Sequence, residues 1–269
     1  MEPSFLLKNS ARWLTMIRQG SIDRTEIYFK AVHGKRFETM RKLFIHGILL
    51  FFLFLACPAC IPSRLPADVI AEECRWLDER TLAGSESFLT IAEAVNPDGT
   101  LNVVVEIPAG TIAKWEVDKA DGTMRWETEA GRPRRIDYLG YPGNYGMIPK
   151  THLAEELGGD GDPLDVIVLG ASLPRGSVVQ ARAVGVLRLL DDGERDDKIM
   201  AVRPGTSLGA ADALAALIES HPGIDTILET WFSHYKGKGR IVFRGFDEAE
   251  AAMETVRQAA KAFQERAAP

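Results

Sequence analysis

The sequence predicts an α+β protein that is mainly β, a closed or partly open antiparallel barrel with two or three flanking helices. Residues 101–203 are short Val/Ile-rich runs separated by Gly/Pro/Asp turns. Two helix-like segments come next, and the C-terminal stretch places apolar residues at helical spacing. A length of 269 residues fits one medium domain with extensions or two small ones. The composition, 46% hydrophobic and 26% charged, is that of an ordinary globular protein.

From the N-terminus, residues 1–39 share no pattern with the rest of the chain and are expected to be a non-native extension, with translation starting at Met40. Met40-Arg41-Lys42 then introduces Leu43 to Ala56, an apolar run broken mainly by His46 and Gly47. A basic start, an apolar run of this length and small residues after it make 40–59 a signal-peptide-like segment. The run is shorter than the ~20 residues that span a bilayer, and a buried N-terminal helix is the alternative. Phe54-Leu55-Ala56-Cys57 partly matches a lipoprotein processing box, which makes Cys57 a candidate lipid anchor, while cleavage after Ala59 or Ala67 competes with it. The expected location is therefore exported, periplasmic or membrane-anchored, with a cytoplasmic protein as the alternative. If Cys60 is retained, Cys74 is available to pair with it.

Segment 60–100 is read as a linker and N-terminal arm, with a short charged helix-like stretch and the turn Asn96-Pro97-Asp98-Gly99. The main domain is expected over 101–269. Its strands include Leu101 to Ile107 and Ile112 to Val117, joined by a Pro/Gly turn, then the long run Ser177 to Leu190, and Ile199 to Val202. Helices are expected over Ser207 to Ile218 and Asp225 to Tyr235. In the last helix Asp247 and Glu250 form a capping box, and the stripe Ala249, Ala252, Met253, Val256, Ala260 and Phe263 packs on the barrel.

The most informative run is Asp160-Gly161-Asp162-Pro163-Leu164-Asp165. Three carboxylates this close repel one another unless a cation neutralises them. Asp160 and Asp162 share a face of extended backbone, and Pro163 bends the chain so that Asp165 can rejoin them. Hard divalent ions take such oxygen ligands, although a solvated acidic turn has the same composition. An EF-hand is excluded, because its sixth position is Asp165 and its twelfth Ala171.

Other blocks surround this run. Glu106 ends one strand, and Lys114 and Glu116 share a face of the next, with Trp115 opposite. Tyr141-Pro142-Gly143-Asn144-Tyr145-Gly146 is rich in turn residues, and Asp191 to Lys198 is a second acidic cluster closed by a lysine. Tyr235 and Lys236 end a helix. Taken singly, these are also what an alternating strand face, a surface turn or an exposed hairpin loop looks like. His152, His221 and His234 are scattered without metal-ligand spacing, and Trp126 and Trp231 are read as core.

In this order, the blocks resemble the soluble family I inorganic pyrophosphatases over roughly Asn102 to Lys261, the acidic run matching the Asp-x-Asp-Pro-x-Asp signature. The resemblance implies Mg²⁺-dependent hydrolysis of pyrophosphate by an OB-like barrel, with several ions, Mn²⁺ as a substitute, and a homo-oligomer. It implies metal ligation by Asp160, Asp162, Asp165, Asp191 and Asp196, supported by Glu106, with Glu116 in an outer shell. Lys114, Arg134, Tyr145, Lys198, Tyr235 and Lys236 would hold phosphoryl oxygens, and Asp162 would accept a proton from the attacking water. Arg134 is preferred over Arg132 and Arg135 in an interval longer than that of shorter bacterial members. Trp115 stands where tyrosine is commoner.

No Walker-type loop or convincing catalytic triad is present. A net charge of −6 argues against a general nucleic-acid partner. Two other readings stay open: a metal phosphohydrolase acting on an organic diphosphate or polyphosphate, and a non-catalytic metal- or oligonucleotide-binding barrel.

Overall fold

A computed structural model of the chain describes residues 69–70, 74–153 and 161–267. Asp160, the leader-like run, Cys57 and Cys60 lie outside the described residues. In chain order the strands are β1 (Val69–Ile70), β2 (Arg75–Asp78), β3 (Thr81–Ala83), β4 (Leu101–Ile107), β5 (Trp115–Val117), β6 (Met124–Trp126), β7 (Thr128–Glu129), β8 (Arg132–Pro133), β9 (Asn144–Met147), β10 (Asp165–Leu169), β11 (Val178–Asp191), β12 (Glu194–Arg195) and β13 (Lys198–Val202). A 3₁₀ turn (Leu208–Ala210), α1 (Leu214–Ser220), α2 (Ile224–His234), β14 (Ile241–Glu248) and α3 (Ala249–Ala267) complete the chain.

Five strands close a ring in the order β11-β13-β10-β9-β4, with β4 pairing back onto β11. The 14-residue β11 makes this possible. It pairs with β4 over Val178–Ala181, with β13 over Arg182–Leu187 and with β14 over Gly185–Asp191. The barrel is not wholly antiparallel as expected, because β10 and β13 run parallel. The chain leaves β10, crosses on β11 and returns beside it, and that crossover fixes the relative direction.

Ring strands are apolar on both sides, and all seven residues of β4 are buried. Val103, Val105, Val166, Val168, Ile199 and Ala201 join one cluster with Ala252, Val256 and Ala259 of α3. Val104, Ile107, Ile167, Leu169, Met200 and Val202 join another, shared with α1, α2 and the small sheet β2-β3-β6-β5. The α3 stripe thus packs as its spacing predicts. At Gly146, a Cβ would lie 1.8 Å from the Val104 carbonyl oxygen, so only glycine lets β9 approach β4.

Several local expectations are corrected. The described part of the charged helix-like stretch of the arm is the hairpin β2–β3, in which Arg75, Trp76 and Asp78 pair antiparallel with Ala83, Leu82 and Thr81. The Ile112–Val117 strand is shortened to Trp115–Val117, with only a bridge from Ala113 to Arg135 before it. The Ser207–Ile218 helix is split by extended Ala211 between the 3₁₀ turn and α1. Asp247 belongs to β14, where its Oδ2 accepts from Arg188 Nε at 2.7 Å, and helix α3 starts two residues later. Among the described residues no helix is long and apolar enough to cross a membrane.

Candidate active site

A cavity of about 760 Å³ opens beside the ring and is lined by Glu106, Lys114, Glu116, Arg134, Tyr145, Asp162, Asp165, Asp191, Asp196, Lys198, Tyr235 and Lys236. Every described residue of the candidate set reaches it. A sequence separation as large as that from Glu106 to Lys236 collapses here because the ring brings the ends of β4, β9, β10, β11 and β13 together. The described histidines stay outside: His152 Nδ1 meets Gly161 O, His221 pairs with Ser220, and His234 meets Thr230 O.

Glu106 sits where the β4–β9 register shifts between Val105 and Ile107. Such a bulge re-aims a side chain that regular alternation would send elsewhere. Its Oε1 accepts the Val117 amide at 2.7 Å and ties β4 to β5. Burial pushes the Glu106 carboxyl up to about 8, the Lys114 charge opposing and the Asp165 charge assisting. On β5 and the residue before it, Lys114 Nζ lies 3.6 Å from Glu116 Oε2. Trp115 turns inward, stacks on Trp126 with centroids 5.6 Å apart, and carries the Arg175 guanidinium 4.3 Å from its ring.

Lys198 opens β13 with a side chain only 2% exposed, yet it meets Asp165 Oδ2 at 2.6 Å and Asp196 Oδ1 at 2.5 Å. Burial works against its charge, but Asp165 and Asp196 outweigh it and raise its pKa. Burial acts to raise Asp165 too, yet Lys198 and Lys114 overcome it and leave that carboxyl low. Asp196 is pushed up, mainly by burial, with Lys198 opposing. The Tyr145 phenol lies beside Asp165 and helps keep that carboxyl low, and the ammoniums of Lys114 and Lys198 stand 5.7 and 5.8 Å from its ring centre. Lys236 pairs with Asp191, and Lys119 with Asp162. Burial raises the phenol pKa values of Tyr145 and Tyr235, so both remain protonated donors.

The structure separates the three arginines. Arg134 lines the cavity and pairs with Glu127 at 2.6 Å, Arg135 lies over the Trp126 ring at 4.7 Å, and Arg132 is exposed on the β7–β8 hairpin. In the second acidic cluster Asp197 faces away, held by Arg188 and Arg195, and Asp192 pairs with Arg240.

Sequence reasoning missed Lys119, Arg125, Glu127 and Thr128 on the cavity wall. A turn Asp-x-x-x-Gly between two short strands gave the only hint, and many surface hairpins share it. Asn144 was also missed. It is 1% exposed, donates to Val168 O and Ala171 O, and accepts the amides of Ala109 and Leu173. It clamps the loops that carry the Tyr block.

The carboxylates form a hard-oxygen donor set suited to a divalent ion, and the buried, proton-retaining Glu106 is a group such an ion would relieve. As they stand, no three acidic, histidine or cysteine groups among the described residues converge to hold an ion. Lysines lie against Asp162, Asp165, Asp191 and Asp196 instead. The donor chemistry fits, and ion binding requires those ammoniums to yield.

A family model described as inorganic pyrophosphatase matches residues 103–264. The chain is 32% identical over 184 residues to "Inorganic pyrophosphatase" of Caulobacter vibrioides, covering 65% of this chain and 96% of that one. It is 45% identical over 104 residues to "Soluble inorganic pyrophosphatase" of Oryza sativa subsp. indica, covering 38% of this chain but only 43% of the rice protein. Among solved structures, type I inorganic pyrophosphatase from Toxoplasma gondii superposes with a TM-score of 0.65 at 26% identity, over 71% of this chain and 94% of that one.

Proposed function

This chain belongs to the inorganic pyrophosphatase family, and we propose that it hydrolyses pyrophosphate to two phosphates with Mg²⁺, Mn²⁺ substituting. The observation that carries the proposal is one cavity lined by eight carboxylates, among them Glu106, Asp162, Asp165, Asp191 and Asp196, together with Lys114, Arg134, Lys198 and Lys236. Phosphoryl transfer demands positioning and charge neutralisation more than covalent chemistry.

Asp160, Asp162, Asp165, Asp191, Asp196 and Glu106 would hold the ions, with Glu116 behind them. When bound, Mg²⁺ supplies positive charge and lowers the pKa of water. The chain's own groups do the rest. Lys114, Lys198 and Lys236 neutralise phosphoryl oxygens, and the planar Arg134 fork grips two of them at once. Tyr145 and Tyr235 donate without adding charge. Asp162 accepts the proton from the attacking water, its carboxylate being the most solvent-open of the described aspartates on the acidic run.

Phosphate release from pyrophosphate, measured with Mg²⁺ and with excess chelator, tests the proposal. Release abolished by chelator supports it; no release from folded, metal-supplied protein sinks it. The cavity also extends to Lys119, Arg125 and Thr128, which favours including tripolyphosphate and nucleoside diphosphates as competing substrates. Export, a Cys57 lipid anchor and homo-oligomerisation are further proposals, the first two resting on the 40–59 segment. Sequencing the native N-terminus tests the first two, and peptides from before Met40 would remove their support; sedimentation of the native protein tests the third.

A further inference from the structure

Tyr235 is a half-buried substrate-binding candidate at a helix end. It is the first residue past α2, and Gly237, two residues on, turns away with φ +99°. Helix ends fray, so backbone alone does not hold this phenol. Its ring instead lies flat on Trp231, one helical turn earlier, with centroids 4.6 Å apart and planes 11° from parallel. Trp231 is fixed in turn: it is 4% exposed, its Nε1 donates to Leu139 O at 3.0 Å, and Tyr141 packs at its side, 4.5 Å from it and 6.4 Å from Tyr235. Tyr141 continues to Tyr145 at 5.2 Å. The result is an aromatic cluster in which only Trp231 and Tyr235 are stacked face to face, and two of its phenols, Tyr145 and Tyr235, line the cavity.

We propose that Trp231 is a positioning residue for substrate binding, which holds the Tyr235 hydroxyl toward the cavity and does not itself touch substrate. Leu139 and its neighbour Tyr138 lie in the stretch between β8 and β9 and are 72% and 40% exposed. The backbone of that segment thus fixes the ring on which a substrate contact rests. The inference depends on the pyrophosphatase reading of the cavity.

The test is a double-mutant cycle on Trp231 and Tyr235, read in KM and kcat for pyrophosphate and in calorimetric binding of the non-hydrolysable analogue imidodiphosphate. Trp231→Leu keeps apolar bulk but removes the stack, and is expected to raise KM and weaken analogue binding ~10-fold with kcat changed less than ~3-fold. Trp231→Phe keeps an aromatic face and stays within ~3-fold of wild type. In the Tyr235→Phe background, Trp231→Leu should add under ~2-fold, because the hydroxyl it positions is gone. Independent losses in the double variant, or equal losses in Trp231→Phe and Trp231→Leu, would overturn the proposal. A wild-type protein that neither binds the analogue nor releases phosphate would instead overturn the functional reading, and the inference with it.

Discussion

Replacing Lys198 by methionine keeps the length of the side chain and deletes only its charge. That ammonium, 2% exposed, is the shared partner of Asp165 and Asp196. Removing one member of a buried pair costs about 3–5 kcal/mol, because the remaining charge is stranded. Asp165 and Asp196 keep 34% and 27% exposure, so water repairs part of the damage, and the lower end, about 3 kcal/mol, applies. For a domain of about 150–250 residues that lowers Tm by ~6–12 °C. The same substitution frees two carboxylates for a divalent ion. An ion at ~100 times its Kd returns about 2.7 kcal/mol, so Mg²⁺ should restore most of the loss in Lys198→Met and raise wild type less. Turnover should stay down ~100-fold in saturating Mg²⁺, because a preorganised charge aimed at phosphate is missing. Scanning calorimetry in chelator and in Mg²⁺ reads the stability half, and phosphate release the catalytic half. A metal-free variant melting within ~2 °C of wild type would refute the account of Lys198 as the neutraliser of this pair. So would an equal Mg²⁺ gain in both proteins.

Asp162→Asn should retain the wild-type fold and melting behaviour while lowering kcat at least ~100-fold, as loss of a general base does; near-native turnover would reassign the base. Arg134→Ala should raise KM for pyrophosphate ~10–100-fold, the range for a lost hydrogen bond to a charged group, whereas Arg135→Ala, stacked on Trp126, should stay within ~2-fold in the same assay. Gly146→Ala forces a Cβ onto the Val104 carbonyl and is expected to cost over ~4 kcal/mol, seen as loss of folded protein by circular dichroism. Glu106→Gln separates a pH effect in the metal-free protein. Burial holds the native carboxyl near 8 against an ordinary value of 4.5, so the native state keeps a proton that the unfolded state releases. Wild type should therefore lose stability relative to Glu106→Gln as pH rises from about 4.5 to 8, and denaturant titrations across that range should show the gap open and then level off.

Much of the site was legible because its chemistry is local in sequence. Asp162, Asp165, Lys114, Glu116, Asp196 and Lys198 sit in short blocks, each ambiguous alone but arranged in an order that matches the family, and the ring brings those blocks to one cavity. What stayed illegible depends on tertiary pairing. Nothing local assigns Arg134, rather than Arg132 or Arg135, to the cavity; that assignment comes from Lys114 N donating to Arg134 O and fixing its place beside β5. The parallel β10–β13 pair is set by where β11 crosses, not by either strand's composition. Asp247 and Glu250 have capping-box spacing, yet pairing of β14 with β11 carries strand geometry through Glu248 and gives Asp247 to Arg188. The hairpin β2–β3 was misjudged because Arg75, Asp78 and Glu79 suit an exposed edge strand as well as they suit a charged helix.

β11 has one more consequence, for the time course of synthesis. The ring is sealed where β4, finished by Ile107, meets Val178–Ala181 of β11, and its last member β13 ends only at Val202. A chain produced from its N-terminus must therefore hold β4, a wholly buried strand in the finished fold, without a ring partner on that side while some seventy further residues emerge. Closure is a late event governed by a single long strand, so the window between Ile107 and Val178 is when the nascent polypeptide most needs a chaperone's grip.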